Sequence, residues 1–397
     1  MRVLLYTGKG GVGKTTAAAA TATLAARRGL KTLVVSTDTA HSLADTFAID
    51  GGAAVGAEPV EVEPGLFLHQ VDTQRALEES WRELQDYLTD LFGKLGMDPL
   101  AAEELTVVPG ADEVLALFQL RDHVRSAAFD VIIVDCAPTA ETLRLLALPE
   151  VLGWYVDRLL PVERRVVGAL RPVLNRMTGM PMPSGPVFDA LERFHVKLAE
   201  VREILVAPEC SVRLVLTPES VVVAEARRTL TSLSLYGYRV DAVLANRVFP
   251  AEGADDWRGG WVRAQAARLA EIEDSFAPLP IYRAPYQPGE PVGTDALAGL
   301  AGRIYGDDDP FTARDQPDPL VIRPGDAGTY ELDLALPGAG KGEVDLARRG
   351  DDLVITVGAY RRVLALPAAL NRRRVAGATL REGRLRVDFA PVSEDER

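Results

Sequence analysis

Short, near-continuously apolar runs alternate with helical stretches over the first 305 residues. Residues 3–6, 32–35, 131–134, 212–216 and 240–244 carry almost no polar position. That is the pattern of parallel strands covered on both faces, not of strands with one wet face. The helices between them predict an α/β fold, a doubly wound, mostly parallel sheet. Two stretches, 73–128 and 150–205, lack strand signals and predict a helical subdomain inserted on the sheet. An acidic, proline-bearing stretch over 306–318 then reads as a linker. After it the period changes to two, at residues 330–336, 353–357 and 385–389, which predicts a small all-β sandwich over 319–391 and a frayed tail at 392–397.

Charge changes this picture in one respect. With 44 basic and 57 acidic residues the chain carries −13, which disfavours nucleic acid and anionic lipid as partners. Basic and acidic groups balance over residues 318–397, so the whole excess lies on the preceding part. Two cysteines, Cys136 and Cys210, exclude a disulfide scaffold and any four-thiol metal site within one chain. No apolar run approaches the ~18 residues of a membrane span, and the chain opens on a strand in place of an export signal. The expectation is a cytoplasmic protein that is not integral to a membrane.

The chemistry concentrates at the amino terminus. Gly8, Lys9, Gly10, Gly11, Val12, Gly13, Lys14 and Thr15 fit G-x-x-x-x-G-K-[ST], directly after an apolar strand and before an alanine-rich helix that continues through Thr16. Glycines at these places let consecutive amides wrap phosphates at a helix N-terminus. Lys14 then reaches the terminal phosphate oxygens and the Thr15 hydroxyl holds Mg2+. Lys9 is notable because only six lysines stand against 38 arginines, and two of the six fall in this loop. Asp38, at the end of the second apolar run, is placed to orient the attacking water, with His41 close behind it as a second switch candidate. Asp135 ends the 131–134 run in the manner of a carboxylate that reaches Mg2+ through water, and Pro138 and Thr139 follow as a loop able to sense the terminal phosphate.

Together these segments resemble the deviant Walker-A family that contains the arsenical-pump-driving ATPase and the targeting ATPase of the guided-entry pathway for tail-anchored proteins. The run from Asp38 to Phe47 resembles that family's first switch, and the run from Asp135 to Arg144 its second. Asn246 matches its adenine-reading asparagine, and Pro285 and Tyr286 its adenine-side loop. The resemblance implies an ATP hydrolase that uses ATP and Mg2+ and works as a nucleotide-sandwiched homodimer. In it Lys9 crosses to the partner's phosphates. It also implies a hydrophobic client, such as a transmembrane segment, bound by helices carrying Leu159, Val166, Leu170, Met177, Met180 and Met182. No Cys-x-x-Cys occurs, so the zinc clip of the guided-entry ATPase is not expected, and a three-thiol arsenite site cannot be made from two cysteines. The alternatives are an arsenite-stimulated pump subunit and a nucleotide-gated scaffold or membrane-positioning ATPase. The carboxy-terminal part resembles the α-crystallin domain of small heat-shock proteins, which places the chain in a branch of the family carrying such a domain.

Overall fold

β1 (Arg2–Thr7) is buried at every position. It lies between β5 (Val131–Asp135) and β6 (Cys210–Leu216), paired in parallel with both. The computed structural model describes residues 1–36, 42–49, 58–70, 111–136 and 185–391. Among these, β2 (Thr32–Ser36), β3 (Val60–Glu63), β4 (Leu66–Gln70), β7 (Val240–Val248) and β8 (Ile281–Pro285) complete an eight-stranded sheet of order β3-β4-β2-β5-β1-β6-β7-β8. β3 alone runs antiparallel to its neighbour. The near-continuous apolar runs are thus the doubly covered inner strands, as expected, while β3, β4 and β8 flank them with more polar sequences.

Helices cover the sheet. α1 (Lys14–Arg27) is buried on nearly all sides, because its Ala17, Ala18, Ala19, Ala20, Ala22 and Ala25 let the sheet approach closely. The short α2 (Ser42–Thr46) follows β2. α3 (Ala111–Ser126) and α4 (Gly185–Val206) pack on each other, and most of the stretches 73–128 and 150–205 lies outside the described residues. α5 (Ser220–Leu235), α6 (Asp256–Phe276) and α7 (Thr294–Tyr305) complete the body, α7 lying along α1.

A buried polar cluster on β1, β6 and β7 interrupts the apolar runs. Arg213 binds both carboxylate oxygens of Asp241 and the Tyr6 hydroxyl, and Arg2 reaches the same carboxylate at 2.8 Å. Burial is the largest influence on Asp241 and opposes its charge, yet Arg213 and Arg2 together hold its pKa below the usual carboxylate range. Arg213 also donates to the carbonyl of Pro310. The acidic stretch is therefore fastened to the body: Phe311 is buried in the same core, Arg314 donates to the Tyr282 hydroxyl, and Gln316 donates to Val240 O.

The carboxy-terminal strands are β9 (Leu320–Pro324), β10 (Tyr330–Ala335), β11 (Val344–Arg349), β12 (Asp352–Val357), β13 (Tyr360–Ala365), β14 (Arg373–Arg381) and β15 (Arg384–Pro391), with a single-turn helix α8 (Ala368–Asn371). They form two antiparallel sheets, β14-β15-β10-β9 and β11-β12-β13. Leu332 and Leu334, Leu385 and Phe389, and Leu353 and Ile355 fill one shared core, the inward positions of a period-two pattern. Leu235, the last residue of α5, is buried in that same core. Arg362 is fully buried and donates to Leu235 O at 2.7 Å, and Tyr360 packs against both cores.

Candidate nucleotide site

The loop after β1 has the backbone its glycines foretell. Gly11 and Gly13 take φ of 79° and 91°, the left-handed region where a side chain is strained. A Cβ on Gly8 would lie 2.1 Å from Val215 O, so only glycine lets the loop pass over β6. Gly13 caps α1 without a side-chain hydrogen bond, and the first turn of α1 holds no acidic residue. The positive end of the helix is left open to an anion.

Lys14 sits at this opening. It is 8% exposed, and its ammonium donates to Lys9 O at 3.4 Å, a long contact for a buried charge. One residue before the loop, the Thr7 hydroxyl is buried with no hydrogen-bond partner among the described residues. Thr15 and Thr16 are half-buried in the first turn of α1. Asp135 is buried at the carboxyl end of β5, in register with Tyr6 of β1 and Ser36 of β2. The topology therefore gathers the loop, Lys14, Thr15 and Asp135 at one edge of the sheet, outside the carboxyl ends of its inner strands.

Lys9 is turned the other way. Its ammonium pairs with Glu225 Oε2 on α5 at 3.8 Å, both side chains being partly exposed. Asn246 lies against the loop: its Nδ2 donates to Val12 O at 2.8 Å and its Oδ1 accepts from Arg247 N at 2.9 Å. Pro285 ends β8, and Tyr286, about half exposed, stacks on Phe249 with centroids 4.9 Å apart. Trp261 and Trp257 extend this aromatic row over the start of α6. Phe249 and both tryptophans carry no motif of their own in the sequence; the i,i+4 spacing of Trp257 and Trp261 is the one local signal for them.

Asp38, His41, Pro138 and Thr139 lie outside the described residues, as do Leu159, Val166, Leu170, Met177, Met180 and Met182. Both cysteines are buried free thiols. Burial pushes the Cys136 thiol up strongly and Cys210 up to about 12, so neither is a ready thiolate. Cys210 pairs with Val3 near the start of β1, whereas Cys136 follows the Asp135 that pairs with Tyr6 near its end. Among the described residues no helix is long and apolar enough to cross a membrane.

Comparison with known proteins agrees with this geometry. Residues 1–306 match the anion-transporting ATPase family (ArsA ATPase), and residues 327–389 match the HSP20-like domain found in ArsA. The chain is 35% identical over 377 residues to a protein of Aquifex aeolicus named "Putative arsenical pump-driving ATPase 1", covering 93% of this chain and 95% of that one. It is 35% identical to the protein of Chlorobaculum tepidum named "Putative arsenical pump-driving ATPase", over 98% of this chain and 96% of that one. It is 31% identical to "ATPase GET3B" of Arabidopsis thaliana, over 75% of this chain and 77% of that protein. With a glycine-rich loop between strand and helix, an antiparallel β-domain and these matches in agreement, the chain belongs to the ArsA ATPase family and is an ATP hydrolase.

Proposed function

We propose that the chain hydrolyses ATP with Mg2+ as a nucleotide-sandwiched homodimer and couples that cycle to holding or handing over a hydrophobic client. The observation that carries the nucleotide part is Lys14, a buried ammonium at an uncapped helix N-terminus whose neighbouring amides are shaped by Gly11 and Gly13. In this reading residues 8–16 hold the phosphates. The Thr15 hydroxyl and the Asp135 carboxylate suit Mg2+, being hard oxygen donors gathered at one sheet edge, with Asp135 acting through water. Mg2+, when bound, neutralises charge on the phosphates and the leaving group. Asp38 orients the attacking water, and His41, Pro138 and Thr139 respond to the loss of the terminal phosphate. Asn246, Pro285 and Tyr286 border the adenine. Lys9 acts in trans on the partner's nucleotide.

The client part is supported by resemblance to the targeting ATPase and by the methionine-rich run at 177–182. Homodimer formation and a cytoplasmic location belong to the same proposal. An arsenite-stimulated pump subunit finds no support in the thiols, which are two, buried and set toward opposite ends of β1. Asp38→Asn should retain ATP affinity while lowering steady-state phosphate release by two orders of magnitude or more. Undiminished release would remove Asp38 from the water-orienting role.

A further inference from the structure

The ammonium groups of Lys9 and Lys14 are both turned onto acceptors of their own chain. Lys14 holds the carbonyl of Lys9, and the Lys9 ammonium is held by Glu225, so residue 9 is tethered at backbone and side chain together. Glu225 stands in the second turn of α5. The entry to that helix is fixed by a tight turn in which Glu219 N donates to Thr217 O at 2.7 Å and the Thr217 hydroxyl donates to Glu219 Oε1 at 3.2 Å.

The far end of the same helix is plugged into the β-domain. Leu235 is buried in the β-domain core, and its carbonyl takes the buried Arg362 guanidinium. The Thr231 hydroxyl donates to Pro337 O, and the Tyr236 hydroxyl donates to Arg361 O at 3.2 Å. A cation at a helix C-terminus is favourably placed against the backbone dipoles, and burial of both partners strengthens the contact. At ~1.5 Å per residue α5 is a rod of roughly 24 Å. One end of it touches the phosphate loop and the other is part of the β-domain.

We propose that Glu225 is a positioning residue that retains Lys9 in cis, and that the β-domain sets this restraint by anchoring the carboxyl end of α5. The proposal rests on the reading that Lys9 acts in trans when two chains pair. The β-domain is then an internal partner of the nucleotide engine: pairing requires Lys9 to leave Glu225, and the firmness of α5 decides how readily it does.

The test is sedimentation velocity of the full-length chain across a titration of Mg2+ with a non-hydrolysable ATP analogue, alongside steady-state kinetics with ATP. Glu225→Gln should lower the nucleotide concentration at half-maximal pairing by about 2- to 5-fold, the range for a partly exposed ion pair, with kcat at saturation unchanged. Glu225→Asp should lie between this variant and the wild type. Thr231→Val and Arg362→Met should shift the midpoint in the same direction, and Thr231→Val carries the test if Arg362→Met does not fold. Adding Thr231→Val to Glu225→Gln should produce no further shift, because the restraint is already gone. An unmoved or raised midpoint in Glu225→Gln, with pairing abolished in Lys9→Ala, overturns the restraint and leaves the trans role standing. Wild-type pairing in Lys9→Ala overturns the trans role and the restraint with it. Additive shifts in the double variant overturn the link to the β-domain.

Discussion

Asn246 Nδ2 donates to Val12 O at 2.8 Å, so the carboxyl end of β7 is tied to the glycine-rich loop two residues before Lys14. The contact is close enough to constrain its neighbour: a Cβ on Gly13 would stand 2.3 Å from Asn246 Nδ2. Gly13 is thus required twice, by its φ of 91° and by the asparagine pressed against it.

Gly13→Ala should therefore leave the fold intact and weaken nucleotide binding by at least tenfold, since ~1–2 kcal/mol of left-handed strain adds to the clash. Adding Asn246→Ala should relieve the clash and recover part of the loss, leaving the strain. Equilibrium titration with a fluorescent ATP analogue, beside a thermal melt, separates these contributions. Equal affinity of Gly13→Ala and wild type would mean that the loop does not bind phosphate in this conformation.

The stretch over 306–318 makes a prediction about truncation. Arg213 is fully buried and loses the Pro310 carbonyl if the chain ends at 305, whereas a chain ending at 318 keeps it together with Phe311. Leaving a buried charge short of an acceptor costs about 1–3 kcal/mol, and exposing the Phe311 pocket adds to it. The 1–318 protein should therefore be more stable to urea than 1–305 by about 2–4 kcal/mol, both retaining the α/β body. Equal midpoints would show that the stretch contributes nothing to the body.

Acid sensitivity should carry a histidine signature. His123 Nε2 lies 2.8 Å from His69 Nδ1, and the His123 pKa is pulled down to about 4, by burial first and by the facing His69 second. In the unfolded chain an imidazole titrates near ~6.5. Between those values the unfolded state binds a proton that the native state refuses, so this contribution is complete above pH ~6.5 and is lost as pH falls toward 4. His123→Phe should flatten the decline across that window by on the order of 2 kcal/mol, measured by urea unfolding at stepped pH. An identical slope in variant and wild type would mean that His123 is not held neutral.

The conformation of the glycine-rich loop over 8–15 was legible because its signal is local. Strand, glycine spacing, lysine and helix start all fall within about two dozen residues, and Gly11 and Gly13 adopt the left-handed backbone their spacing implies. The inner strands were legible for a similar reason, since burial on both faces leaves an unbroken apolar run. What escaped depends on distant partners. Arg213 and Asp241 interrupt two apolar strands, and only the paired sheet reveals that they neutralise each other. Phe249 follows β7, Trp261 stands on α6 and Tyr286 follows β8, and the three meet only in the fold. The acidic stretch read as a linker from composition, yet Phe311 and Pro310 fasten it to the body. The attachment of α5 to the β-domain had no local signal either, because Arg362 looks like any surface arginine until its partner, the carbonyl of Leu235, is known.

Lys14, at the open end of α1, is proposed to receive the phosphates of ATP. Isothermal titration calorimetry of the full chain with Mg2+ and ATP, repeated on Lys14→Ala, tests it most directly. Saturable heat at one site per chain is expected for the wild type and at least about a hundredfold weaker binding for the variant, which loses a charge-assisted contact within the proposed phosphate cradle. No heat from the wild type, or the same isotherm from both proteins, would contradict that role.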